Sequence, residues 1–254
     1  MRVQTLVVDK PARTTMKIHT IQVPKAKLEK IPKMERAFYV HVGHLRHELM
    51  VLKKLLEVSA KETAKSPVLQ DVGLSQQFII SRLLAGKVWE GWQLLSKAYF
   101  ATKLSLTIGS ALPEDTKEAL ANLKKYFGAK KNIIKRMRNE FAFHYDPLSV
   151  RAQMSRVEET DNLKIYVADT TDVFFQLSEI IVGSAMLEAV QPGDFVAAAE
   201  KFFDEIMTLS GQLVDFCDGC LHHMIKTYIG YQPDETEVLD PPKCKDLRLP
   251  FFCK

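Results

Sequence analysis

The stretch FYVHVGHLRHELMVLKKLL, residues 38–56, is the clearest indication of the fold class of this protein. Its large apolar side chains return at alternating intervals of four and three residues, which is the spacing of one face of an α-helix. A helix with such an apolar stripe is stable only when the stripe packs against other elements, so the stretch predicts a helical bundle. The stripe consists of Phe38, Val42, Leu45, Leu49, Leu52 and Leu56.

Similar patterns predict further helices on both sides of the basic segment at residues 131–147. A second apolar stripe, late in the chain, includes Phe202, Ile206 and Phe216. Pro and Gly residues separate the periodic segments, as expected at helix ends. The predicted helices cover residues 74–108, 113–128, 131–146, 171–190 and 193–228.

Two parts of the chain lack helical periodicity. Leu163, Ile165 and Val167 alternate after an Asp-Asn pair, which predicts a small β-hairpin at about residues 155–168. We therefore expect an all-α bundle of about six helices with a β-hairpin insertion. The predicted organisation is an irregular N-terminal arm, a helical domain and an irregular tail, at residues 1–33, 34–230 and 231–254. In the arm, the stretches TLVV at residues 5–8 and KIHTIQV at residues 17–23 are candidates for short strands.

Composition narrows the class of protein. The apolar fraction of 46% is that of an ordinary globular protein, and the net charge of +4 argues against a histone-like, strongly cationic chain. No window has the roughly 18 uncharged apolar residues of a membrane helix, and the first residues do not form a signal peptide. With four cysteines in a chain of this length, a cytoplasmic protein with reduced thiols and no membrane partner is expected.

Two clusters contain metal-ligand residue types. His41, His44 and Glu48 lie on one flank of the first long helix and could bind a metal with help from another helix. The Glu-x-x-His repeats of di-iron bundles are absent. Unpaired histidines are also common on ordinary helices, so we expect no metal here.

The second cluster is CDGCLHH, residues 217–223. Cys217 and Cys220 have the spacing of half a zinc site, and His222 or His223 could add a ligand. Both cysteines also fall on the apolar stripe of the last helix, where a thiol behaves as a small apolar side chain. We interpret them as core cysteines and expect neither a metal nor another cofactor.

The segment KNIIKRMRNEFAFHYDP, residues 131–147, contains the main functional candidate. Between residues 124 and 138 the charged side chains are all basic. On an ideal helix Met137, Phe141 and His144 share an apolar face, Arg138 lies at its edge and Asn139 points nearly the opposite way. A His and an Arg on such a face need polar partners, within the same chain or in a second copy.

This segment resembles the signature of the HEPN superfamily of all-helical proteins. That signature is an Arg, then a polar residue such as Asn, and a His four to six residues after the Arg. Arg138, Asn139 and His144 match it. Two other pairs, Arg13 with His19 and Arg36 with His41, have the spacing, but in neither pair is the Arg followed by Asn.

The resemblance implies a metal-independent endoribonuclease whose site is built from two protomers, and it points to a role in a toxin or defence setting. A homodimer, an RNA ligand and a cognate antitoxin-like protein are the implied partners. His144 would be the acid or base, Arg138 would stabilise the transition state, and Lys130, Lys131, Lys135 and Arg136 would hold RNA phosphates. Two alternatives stay open: a non-catalytic interaction or nucleotide-binding bundle, and a structural His144 at a helix end.

Overall fold

The structure is a computed structural model. It describes residues 15–60, 66–130, 132–142, 147–158, 162–231, 233, 235–243, 246–247 and 249–252. The predicted TLVV strand at residues 5–8 lies outside the described residues, and so do Lys131 and His144.

The predicted all-α bundle with a small β insertion is confirmed. Two short antiparallel strand pairs accompany the helices in the described part of the chain. The α-helices are α1 (Lys25–Glu29), α2 (Lys33–Ala60), α3 (Pro67–Leu94), α4 (Leu104–Thr107), α5 (Glu114–Gly128), α6 (Ile133–Met137), α7 (Pro147–Met154), α8 (Gln176–Val190) and α9 (Phe195–Met224). The strands are β1 (Met16–Thr20), β2 (Tyr166–Val167), β3 (Val173–Phe174) and β4 (Glu235–Leu239).

The core lies between α2, α3, α5, α8 and α9, with α9 in contact with each of the other four. The α2 stripe is buried at Phe38, Val42, Leu45, Leu49 and Leu56, as its spacing predicts. The α9 stripe is buried in the same way. Helical periodicity therefore identified the faces on which the bundle is built.

The predicted second helix, residues 74–108, is wrong at both ends. The helix α3 begins earlier, at Pro67, a position where the absence of an amide donor costs nothing. Its α-helical part ends at Leu94, and a π-helical turn, Leu95–Phe100, follows before the break that precedes α4. The π turn keeps Leu95 and Tyr99 buried, so the apolar pattern continues through a change of helix type.

The predicted β-hairpin is displaced. Strands β2 and β3 pair as Tyr166 with Phe174 and Val167 with Val173, so the turn lies at residues 168–172 and not at the Asp-Asn pair. The helix predicted from residue 171 begins only at Gln176. The hairpin is held to α3 by Asp71, whose Oδ2 accepts hydrogen bonds from the Tyr166 hydroxyl at 2.6 Å and from Gln176 Nε2 at 2.9 Å.

The C-terminal tail was predicted to be irregular, but it includes β4. This strand pairs antiparallel with β1 of the N-terminal arm, from Met16 opposite Leu239 to Thr20 opposite Glu235. The predicted short strand in residues 17–23 is thus largely present. The arm and the tail meet in one two-stranded sheet, which neither segment could form alone.

Pro147 was predicted to follow the end of a helix, and it is the first residue of α7. Proline has a φ angle suited to a first helical turn. The predicted helix end at residues 143–146 lies outside the described residues. No single helix in the described ranges is long and apolar enough to span a membrane. The helix α8 and the segment Phe195–Ile229 have the length and composition only when taken together, and the pair is bent by 77°.

Candidate functional site

The helix that carries Arg138 begins for a local reason. Asn132 is its N-cap, and its side-chain oxygen accepts a hydrogen bond from the Lys135 backbone amide at 2.9 Å. One α-helical turn leads into a π-helical turn, Arg138–Ala142. Ile134, Met137 and Phe141 are buried on one face and join the hydrophobic core, with α3 as the neighbouring helix. As far as Phe141, the predicted apolar face therefore meets the core of its own chain.

The π-helical turn brings Arg138 and Asn139 together. Arg138 Nη1 donates a long hydrogen bond of 3.4 Å to the Asn139 side-chain oxygen. A wider π turn changes the angle between consecutive side chains, and such turns are frequent at functional sites. Helix distortion thus places the two residues of the signature in one polar patch, although Asn139 stays exposed as the ideal helix predicts.

The guanidinium of Arg138 has a carboxylate partner on α3. Its Nε and Nη2 atoms each lie 3.2 Å from Glu90 Oε1. The two side chains are 32% and 45% exposed, and ion pairs in such surroundings contribute about 0–1 kcal/mol. Arg138 can therefore exchange this carboxylate for a phosphate at small energetic cost.

Basic side chains from separate elements line one groove beside this patch. The groove has a volume of about 760 Å³, and its lining includes Lys130, Lys135, Asn139 and, from α9, Lys201. Lys130 and Lys201 form no ion pair with other described residues. The groove therefore offers free ammonium groups next to the Arg138–Asn139 patch.

Arg136 is engaged more fully than Lys130 and Lys135, the other predicted phosphate ligands that the structure describes. Its Nε lies 3.1 and 3.0 Å from the two carboxylate oxygens of Glu140. Its Nη1 donates to the Ala189 carbonyl oxygen at 2.8 Å, near the C-terminal end of α8. These contacts tie α6 to α8, and they give Arg136 a structural role in addition to the predicted one.

The acidic side chains of the groove are also engaged. Glu188 lies 2.7 Å from Arg156 and accepts the Gly193 amide at 3.1 Å, and these donors lower the pKa of its carboxyl. Glu205 accepts a hydrogen bond from the Tyr126 hydroxyl. Burial, with Glu205 as the second cause, raises the pKa of Tyr126, so the phenol stays protonated and continues to donate.

The histidine cluster of α2 lies on the surface. His41, His44 and His47 are all exposed. His44 Nε2 lies 3.4 Å from Glu48, whose other oxygen is 2.7 Å from Lys87. Across the described ranges, no group of three or more His, Cys, Asp or Glu side chains is arranged to hold a metal ion.

Cys217 and Cys220 lie in the hydrophobic core, each with an exposed fraction of 0%. Burial raises the pKa of Cys217 to about 12 and also raises that of Cys220. Zinc binds thiolates, so protonated core thiols do not suit it. His223 instead lies 3.4 Å from the Thr227 hydroxyl on its own helix. The geometry is that of core cysteines.

Sequence reasoning missed Glu90, Lys201 and the Tyr126–Glu205 hydrogen bond. Each depends on a neighbour that is remote in the sequence, and no local motif indicates it. His144 and Lys131, outside the described residues, keep the roles proposed for them as predictions. Comparison of the chain with family models, with curated proteins and with solved structures finds no match.

Proposed function

We propose that this protein is a HEPN-like, metal-independent endoribonuclease that acts as a homodimer. The observation that supports this proposal best is the Arg138–Asn139 pair on a π-helical turn, partly exposed and next to a groove with free lysines. An all-helical fold agrees with it. A cytoplasmic site of action and control by an antitoxin-like partner are part of the same proposal.

The chemistry needs no metal. A base takes the proton of the 2′-hydroxyl, and an acid protonates the leaving 5′-oxygen. His144 is the side chain of the signature whose ordinary pKa allows both roles near neutral pH. Arg138 stabilises the charge on the phosphorus-centred transition state through paired hydrogen bonds.

Arg138 has to leave Glu90 when RNA binds. The guanidinium then turns from a single carboxylate oxygen to a phosphate, where charge-assisted hydrogen bonds are strong. Because Met137 and Phe141 are buried in the core of their own chain, the second protomer is expected to approach from the exposed Asn139 side.

Three variants test the activity. His144→Ala and Arg138→Ala are compared with wild type on several RNAs with a chelator present, and each is expected to lower cleavage by at least about a hundredfold. His41→Ala is the matched control, because His41 also follows an Arg at signature spacing but is an exposed side chain of α2. Equal cleavage by wild type and His144→Ala, or no cleavage of any RNA, would refute the ribonuclease.

The second candidate is a non-catalytic bundle that serves interaction with a partner or nucleotide binding. Two observations favour it: Arg138 is paired with Glu90, and the apolar face as far as Phe141 is already buried in the monomer. The two candidates separate on one result, because RNA binding without chelator-resistant cleavage supports the second and not the first.

A further inference from the structure

Four aromatic side chains form a row beside the basic groove, and we name this row the aromatic row. The ring centroids of Trp89 and Phe127 are 5.9 Å apart, and Phe127 stacks on Trp92 at 4.8 Å with an interplanar angle of 12°. Trp92 and Phe100 follow at 5.7 Å. All four side chains are partly exposed, so parts of the row face solvent along the junction of α3 and α5.

A lysine lies over each end of the aromatic row. Lys135 Nζ is 5.6 Å from the ring centroid of Trp89, and Lys124 Nζ is 4.3 Å from that of Phe100. Lys135 also lines the groove of Lys130 and Lys201, whereas Lys124 lines a separate cavity of about 700 Å³ with Trp92 and Phe100. Positive charge is therefore present at both ends of the row.

Aromatic faces beside lysines are the chemistry of single-strand binding. Every nucleobase has a π face that can stack on an aromatic ring, and lysines hold the phosphates that join successive nucleotides. A duplex cannot use the row in this way, because its bases are already stacked and paired. A polyanion without bases can use the lysines but not the rings.

We propose that the aromatic row and its two lysines bind unpaired RNA bases and direct the strand toward Arg138. The lysine ammonium groups turn to phosphates while bases occupy the exposed ring faces. This inference rests on the proposed function and extends it, because it specifies single-stranded RNA as the substrate and places it on a defined surface.

The chain itself contains the reporter for a binding experiment. Its two tryptophans are Trp89 and Trp92, both in the aromatic row, so intrinsic fluorescence monitors this surface directly. The titration uses the His144→Ala protein with chelator, so that RNA is not cleaved. The probes are an unstructured single-stranded oligoribonucleotide, the same sequence as a duplex, and inorganic polyphosphate.

We expect saturable quenching of the tryptophan fluorescence by the single strand. The duplex and polyphosphate should each bind at least about tenfold more weakly. Trp92→Ala is expected to raise the Kd for the single strand by about 5- to 150-fold, the range of base stacking on one aromatic ring. The double variant Lys124→Ala/Lys135→Ala, which changes only exposed side chains, is expected to raise it by at least about fivefold and more strongly at low salt. Lys54→Ala, an exposed lysine of α2, is the matched control and is expected to leave Kd unchanged.

If Trp92→Ala does not fold, the double lysine variant and the choice among probes still decide the question. Equal binding of strand and duplex, binding of polyphosphate as tight as that of the strand, or an unchanged Kd in the double variant would each overturn the proposal. If wild type cleaves RNA with chelator present but one of these results is obtained, the proposed ribonuclease activity is retained and the aromatic row is refuted as the RNA-binding surface. Single-strand quenching without any cleavage would keep the surface and refute the ribonuclease.

Discussion

The crossing of α5 and α9 is so close at Gly219 that one added methyl group should measurably weaken the fold. A Cβ at this position would lie 2.6 Å from both Cγ2 and Oγ1 of Thr116 and 3.1 Å from its Cβ. Thr116 is only 4% exposed, and its short side chain has no flexible end to move away. Gly219→Ala therefore forces the two helices apart or distorts them.

Two opposing effects determine the size of the change. Overpacking a well-packed site costs about 1–3 kcal/mol, and contacts as short as these indicate the upper end of that range. Replacing Gly by Ala inside a helix by itself raises the free energy of unfolding by about 1 kcal/mol. The expected net loss in the free energy of unfolding is about 2 kcal/mol, which lowers Tm by about 4–8 °C in a chain of this length.

Denaturant and thermal unfolding, followed by circular dichroism, measure this loss. Gly211→Ala is the matched control on the same helix, because its added Cβ would meet only Lys53 Nζ at 3.9 Å. That variant is expected to gain up to about 1 kcal/mol. Thr116→Ala removes the two atoms at 2.6 Å, so the Thr116→Ala/Gly219→Ala protein should recover most of the lost stability. If Gly219→Ala is as stable as Gly211→Ala, the close crossing of α5 and α9 is wrong.

Three further experiments test other parts of the structure. Asp71→Ala removes the acceptor of two hydrogen bonds, one from Tyr166 in the β2–β3 hairpin and one from the buried Gln176 at the start of α8. The loss at Gln176 should lower the free energy of unfolding by about 1–3 kcal/mol, and hairpin amides should exchange faster. Cys217 and Cys220 should resist alkylation at pH 8 in the folded protein, because burial raises the pKa of both thiols, and they should react after unfolding. Peptide mass spectrometry measures the labelling, and rapid labelling of the native protein would contradict their position in the core. Glu90→Gln removes the charge that competes for Arg138, so the Kd for single-stranded RNA should fall by up to about fivefold, and an unchanged Kd would mean that Glu90 does not compete with RNA for Arg138.

The positions of the helices in the chain were predictable where one face of the helix is apolar along many turns. Phe38 to Leu56 on α2 and Phe202 to Cys220 on α9 repeat with helical spacing, and the structure buries those residues. The boundaries were less predictable where tertiary packing competes with local preference. The helix predicted from residue 74 begins at Pro67, and a π turn interrupts it at Leu95.

The candidate site was predictable only in part. The position of Arg138 at the edge of an apolar face follows from helix geometry, and the buried Met137 and Phe141 agree with it. Its pairing with Glu90 does not follow, because the two residues are 48 positions apart and meet only when α6 packs on α3. Lys201 joins the groove for the same reason, through the position of α9.

The class of fold, the buried faces and the residues of the candidate signature follow from the order of the amino acids alone, because helical periodicity is a local property of the chain. The neighbours of those residues follow only from the packing of the helices: Glu90 beside Arg138, Lys201 across the groove, and a row of aromatic rings between two lysines. These neighbours come from separate helices, and their contacts arise from packing many apolar side chains together rather than from any short segment.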